Sequence, residues 1–144
     1  MKFTIKTPVP GNYKVVMNAF DKKLFEHLKP VGASMEIVKF TGSKEGDIVH
    51  IRFTSPIKAE WISKIVEDGV DDERAYFIDQ GTKLPWPLKY WKHEHVVAKI
   101  GEKKSQIEDR ITYKTFSIVL DALIRPAMYM AFYPRRAQYQ KYFK

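Results

Sequence analysis

Apolar and polar residues alternate from the start of the chain. In residues 2–7, Phe3 and Ile5 fall on one side and Lys2, Thr4 and Lys6 on the other, the period of a half-buried strand. After Pro10 the period lengthens. Tyr13, Val16, Met17 and Phe20 recur at helix spacing, and Asp21 caps a second short helix carrying Leu24, Phe25 and Leu28, which Pro30 and Gly32 stop. Six further strands are expected between turn residues, over 35–41, 47–53, 59–67, 73–80, 89–98 and 104–113. From about Ser117 the helix period returns, with Val119, Leu120, Leu123, Ile124, Ala127, Met130 and Ala131 as the expected inward stripe. Pro126 is expected in the first turn of that helix proper, and Pro134 is expected to kink it.

This order predicts an α+β fold: a curved antiparallel sheet of about seven strands around one long C-terminal helix, with two short helices after the first strand. A single sheet with one long helix to cover it must curl, and the concave face then encloses a cavity suited to a small ligand. A single domain spanning residues 1–144 is expected.

Composition agrees with a globular chain, at 44% hydrophobic and 29% charged residues. No signal peptide or membrane span is read from the pattern. The absence of cysteine removes thiolate ligands, disulfides and cysteine nucleophiles, and fits a cytoplasmic location. The net charge is +8, and Arg125, Arg135, Arg136, Lys141 and Lys144 face Asp121 alone in the last thirty residues. That basic end suits RNA, an anionic membrane surface or an acidic protein, but a solvated helix face is the preferred reading of its charges, and sealing the end of the sheet the preferred reading of its aromatics Tyr139, Tyr142 and Phe143.

The chemistry concentrates at YWKHEHVV, residues 90–97. Strand parity turns Lys92 and Glu94 to water and Trp91, His93, His95 and Val97 inward. In the next strand Ile107, Asp109, Ile111 and Tyr113 face inward. A hairpin loop at 101–103 then sets His95 across from Asp109, His93 across from Ile111 and Trp91 across from Tyr113. A His95–Asp109 contact is therefore expected, because a buried carboxylate needs a partner. Three readings stay open: a metal site, an acid/base site, and a hydrogen-bonded polar cluster lining a pocket, the last being preferred. Two histidines two apart with a carboxylate suit zinc or iron, but His27 and His50 lack the spacing to complete such a set. No metal and no cofactor are assigned.

The segment LPWPLKYWKHEHVV, the strand DRITYK and the ending AFYPRRAQYQKYF resemble the START-like (SRPBCC) superfamily, in particular its bacterial polyketide cyclase/dehydrase-type members. Trp91, His93, His95, Asp109, Ile111, Tyr113, Phe132, Pro134 and Arg135 carry the resemblance, which spans essentially the whole chain. It implies the helix-grip fold, with an elongated hydrophobic cavity between sheet and helix, in a family whose members bind lipids, sterols, polyketides or aromatic compounds and of which a minority are enzymes. Pro134 departs from the family pattern and puts the straightness of the last helix in question.

Resemblance and alternation together give an expected lining: Phe53, Trp91, His93, His95, Ile111 and Tyr113 from the sheet, and Leu123, Ala127, Met130 and Ala131 from the helix. Trp61 and Phe77 are further candidates, and the LPWPL loop is expected at the rim. The function read from this is binding of a small, mostly apolar or amphipathic molecule as carrier or sensor, without turnover. The alternative is a cyclase- or hydrolase-type enzyme using His93 or His95 with Asp109 and Tyr113 for acid/base chemistry. Binding of nucleic acid or a membrane surface through the basic end ranks third, and the oligomeric state stays open.

Overall fold

The computed structural model describes residues 1–28, 30 and 32–144. Strand β1 (Lys2–Pro10) is followed by helices α1 (Tyr13–Asn18) and α2 (Lys22–His27), and then by β2 (Ser34–Phe40), β3 (Ile48–Ser55), β4 (Ala59–Val70), β5 (Arg74–Lys83), β6 (Leu88–Gly101) and β7 (Lys104–Thr115). Helices α3 (Ile118–Phe132) and α4 (Arg135–Tyr142) close the chain. The caps follow the sequence: Asn12 accepts from the Lys14 amide, Asp21 from the Leu24 amide and Ser117 from the Leu120 amide.

The sheet is antiparallel throughout, in the order β1-β7-β6-β5-β4-β3-β2. Helices α1 and α2 thus carry the chain from one edge of the sheet to the other. This is the expected helix-grip arrangement, with the sheet curled around the C-terminal helices. The β6–β7 register is the expected one, with His95 opposite Asp109, His93 opposite Ile111 and Trp91 opposite Tyr113. It extends into rows across the sheet. One row runs Phe3, Ile111, His93, Asp79, Ile65, and the next runs Ile5, Asp109, His95, Phe77.

Two apolar clusters hold the layers together. The first joins Tyr13, Val16, Phe20, Leu24 and Leu28 to Phe77, Val97, Ile107 and Tyr139. The second joins Phe3, Trp91, Ile111 and Tyr113 to Ile124, Met128, Tyr129 and Phe132 of α3. Each large side chain buried in this way contributes about 1.5–3 kcal/mol. His93 and His95 lie between the clusters. His95 packs edge-on to Phe20 and Phe25, while His93 meets Trp91 and Phe132 edge-on.

The C-terminal region differs from the expectation in three ways. Pro126 lies in the interior of α3, which already begins at Ile118. Pro134 does more than kink the helix: it stands between α3 and α4, because it has no N–H to continue the ladder. The inward stripe is also rotated. Ile124, Met128, Tyr129 and Phe132 pack inward, whereas Val119, Leu123 and Met130 are 69%, 71% and 60% exposed. Periodicity could not select the face, since IVLDALIRPAMYMAF is apolar on several sides.

Part of the C-terminal end closes the fold, while Arg125, Lys141 and Lys144 stay exposed. Tyr139 is fully buried, and Tyr142 and Phe143 pack on the first cluster. Arg136 Nε donates to the Lys6 carbonyl at 3.0 Å, and Arg135 turns inward. Among the described residues, no helix is long and apolar enough to cross a membrane.

Candidate functional site

A cavity of about 350 Å³ lies between the concave face and the C-terminal helices. Alternation builds its sheet wall. Val49, Ile51 and Phe53 come from β3, Trp61, Ser63 and Ile65 from β4, Phe77 and Asp79 from β5, and Trp91, His93 and His95 from β6. Met128, Ala131, Phe132 and Arg135 supply the helical side, and Phe25 of α2 with Leu28 just beyond it closes the cavity. Most of this wall is apolar. Its charged and titratable groups converge at Asp79, His93, His95 and Arg135.

The expected His95–Asp109 contact is replaced by a crossed pair. His93 Nε2 meets Asp109 Oδ1 at 2.8 Å, and His95 Nε2 meets Asp79 Oδ2 at 2.6 Å. Each histidine thus bonds a carboxylate in the neighbouring row rather than the one directly opposite. Directly opposed Cβ atoms stand about 4.5–5.5 Å apart, too close for a long imidazole to reach a short carboxylate end-on, so the rings lean along the strand. Stacking fixes the lean: His95 lies between Phe77, 4.1 Å away and nearly parallel, and His93, 3.7 Å away.

Burial alone would raise the Asp109 pKa, but the His93 hydrogen bond and the Arg135 charge outweigh it and hold the carboxyl at about 2. Asp79 is also lowered against its burial, by the His95 hydrogen bond and the neighbouring positive groups. Both carboxylates are therefore ionised at neutral pH, and the facing ring nitrogens donate to them. His95 is held down at about 4 by burial and by the His93 ring, against the pull of Asp79. It is a neutral imidazole at physiological pH. Arg135 Nη1 and Tyr139 Oη each approach Asp109 Oδ1 at 3.4 Å.

Of the expected lining, Phe53, Trp91, His93, His95 and Ala131 stand on the cavity wall, as do Trp61 and Phe77. Five residues do not. Ile111 and Tyr113 are buried in the second apolar cluster, where Phe3 of β1 and the first turns of α3 cover β7. Tyr113 Oη donates to the Asp121 carbonyl at 2.7 Å, so it cannot assist the histidines. Leu123, Ala127 and Met130 lie on the outer face of α3. Asp109 stands behind His93 rather than on the wall. The LPWPL loop is not the rim of this cavity either: Trp86 is 79% exposed and stacks on Phe116 at 5.9 Å.

Two site residues escaped sequence reasoning. Asp79 could have been found by extending the β6 parity one strand further, to a lone acid beside Phe77 in AYFIDQ. Arg135 belongs both to the residues that carry the resemblance and to the basic C-terminal patch, but nothing in its spacing signals that α4 points it at Asp109.

No protein-family model matches the chain, and no curated protein matches it. Solved structures do. Norcoclaurine synthase from Thalictrum flavum superposes with a TM-score of 0.71 at 15% identity, over 99% of this chain and 85% of that one. The Zhui aromatase/cyclase from Streptomyces sp. R1128 gives 0.64 at 8% identity, over 99% and 92%. A protein of Chromobacterium violaceum gives 0.72 at 15% identity, over 99% and 96%. At such identities the likeness is one of fold, and it is the START-like fold that the sequence resembles.

Proposed function

We propose, for a chain with the START-like helix-grip fold, that the cavity between sheet and helices binds a small, mostly apolar molecule bearing one polar end. The observation that carries this reading is the asymmetry of the wall. Phe25, Ile51, Phe53, Trp61 and Phe132 offer apolar and aromatic surface, while Asp79, His93, His95 and Arg135 gather the polar groups. An apolar body would displace water from the aromatic wall, and a hydroxyl, amine or carbonyl would meet the histidine–carboxylate cluster. The role is that of a carrier or sensor. Ligands of this shape occur on the same fold: the Thalictrum enzyme has been solved with dopamine and hydroxybenzaldehyde. Native mass spectrometry of the chain purified from its host tests the reading. A retained small molecule lost on Ile51→Trp supports it, and a bare chain that also takes up no apolar probe contradicts it.

One observation favours a second reading, acid/base catalysis. His95 is a neutral imidazole oriented by Asp79 at 2.6 Å on the cavity wall. In this reading the orienting groups are Asp79 and Asp109, and Tyr113 has no part. Asp79→Asn should then abolish turnover of a true substrate while binding persists. Retained turnover would rule the dyad out.

A further inference from the structure

Two histidines of β6 and an aspartate of the neighbouring β5 bring ligand atoms close together on the cavity wall. We propose that Asp79, His93 and His95 bind a divalent transition-metal ion of the zinc type. One ligand atom from each of the three residues lies within 4.8 Å of the others, and all three residues are buried. Asp79 Oδ2 stands 2.6 Å from His95 Nε2 and 3.9 Å from His93 Nδ1. Ligand atoms around a four-coordinate zinc lie about 3.3 Å apart when bonds are about 2.0–2.1 Å, so these two distances bracket the required one. Closing on one ion requires Asp79 to draw back from His95 and the two imidazoles, stacked 3.7 Å apart, to turn their ring planes toward a common point.

The surroundings match a metal centre in three further respects. His93 Nε2 donates to Asp109 at 2.8 Å, which leaves Nδ1 to face Asp79 and supplies the carboxylate behind a ligating imidazole that metal histidines ordinarily have. The charges also favour a cation. Two carboxyl groups, Asp79 and Asp109, stand at the imidazoles against the single guanidinium of Arg135. Finally, the donor set of two imidazoles and one carboxylate suits zinc, cobalt or ferrous iron rather than calcium or magnesium. Binding at His95 Nε2 moves the ring proton to Nδ1, which is buried without a hydrogen-bond partner in the structure. The ion thus replaces the His95–Asp79 hydrogen bond without changing the ring's proton count.

Three protein ligands leave a coordination position open, and all three line the cavity. That position is where the polar end of a bound molecule would reach the ion. The metal inference itself does not depend on that molecule, and its test contains none.

The test is cobalt titration of the chelator-treated full chain. One cobalt ion per chain should bind, with the intense visible absorption of a four-coordinate nitrogen–oxygen site, and zinc should displace it. His95→Gln and Asp79→Asn should each weaken binding at least tenfold. His50→Gln, which removes the histidine paired with Glu60 outside the cavity, should leave it unchanged. Should the site variants fail to fold, side-chain nitrogen NMR of the unaltered chain decides: zinc should shift the His93 and His95 nitrogens and leave those of His27 and His50 in place. No stoichiometric binding, or shifts confined to His27 and His50, overturns the proposal. Either outcome leaves the cavity's affinity for an apolar molecule to its own experiment.

Discussion

His95 stands directly across from Asp109 in the β6–β7 register, yet its Nε2 bonds Asp79, and Asp109 is taken by His93 one row away. The crossing ties three adjacent strands, β5, β6 and β7, through side chains as well as backbone. It also gives each buried carboxylate a donor. Asp109 anchors the arrangement, because Arg135 and Tyr139 of the C-terminal segment reach the same oxygen.

Removing that anchor should be costly. Asp109→Ala leaves the His93 ring and the Arg135 guanidinium without their carboxylate in a buried setting, where breaking an ion pair costs about 3–5 kcal/mol. Asp109→Asn keeps an acceptor at Oδ1 and should lose less. Urea unfolding of the three proteins gives the comparison. Equal loss in both variants would show that charge rather than the hydrogen bond is what matters.

Acid should destabilise the protein in two separate windows. The folded-state pKa of His95 is depressed to about 4, so its contribution is full above the ordinary histidine value and is lost as pH falls through 4. In that window the unfolded chain binds the extra proton, and stability drops by a few kcal/mol, on the order of 1.4 per pKa unit. Asp109, lowered to about 2, adds a second loss that begins only near pH 4 and continues through 2. Denaturant midpoints at pH 7, 5.5 and 4.5 test the first window, and His95→Gln should flatten it.

The rotated face of α3 makes a direct prediction about binding. Ile51→Trp fills the cavity and should weaken uptake of an apolar fluorescent probe at least tenfold. Leu123→Trp lies on the outer face and should leave uptake unchanged. Reversed effects would return the lining to the stripe expected from sequence.

Tyr113 should behave as a structural residue. Tyr113→Phe forfeits its hydrogen bond to the Asp121 carbonyl and should cost about 1 kcal/mol of stability. Probe affinity and any turnover should be unchanged. A selective loss of either would place the hydroxyl in the site.

The sheet was legible in the sequence because one-sided burial imposes a period of two. Parity placed Trp91, His93, His95 and Asp109 inward, and the short hairpin set their register correctly. Which partner each histidine chose was not legible, because that depends on side-chain lean and on Phe77 stacking against His95. The helix was less legible for a different reason. A segment apolar around much of its circumference has no marked face, so Leu123 and Met130 looked as suitable as Met128 and Phe132. Arg135 depended on the break at Pro134, which sets the direction of α4 and therefore where that side chain ends.

The central claim is that ligand enters between sheet and helices with its polar end at the histidines. Methionine-methyl and imidazole-nitrogen NMR tests it in one titration with a panel of amphipathic aromatic probes. Met35 and Met128 line the cavity, whereas Met130 points away from it. A binding probe should shift the Met35 and Met128 methyls together with the His93 and His95 nitrogens, and leave Met130 still. Probes that move Met130 alone, or a full panel that moves none of these, would contradict it.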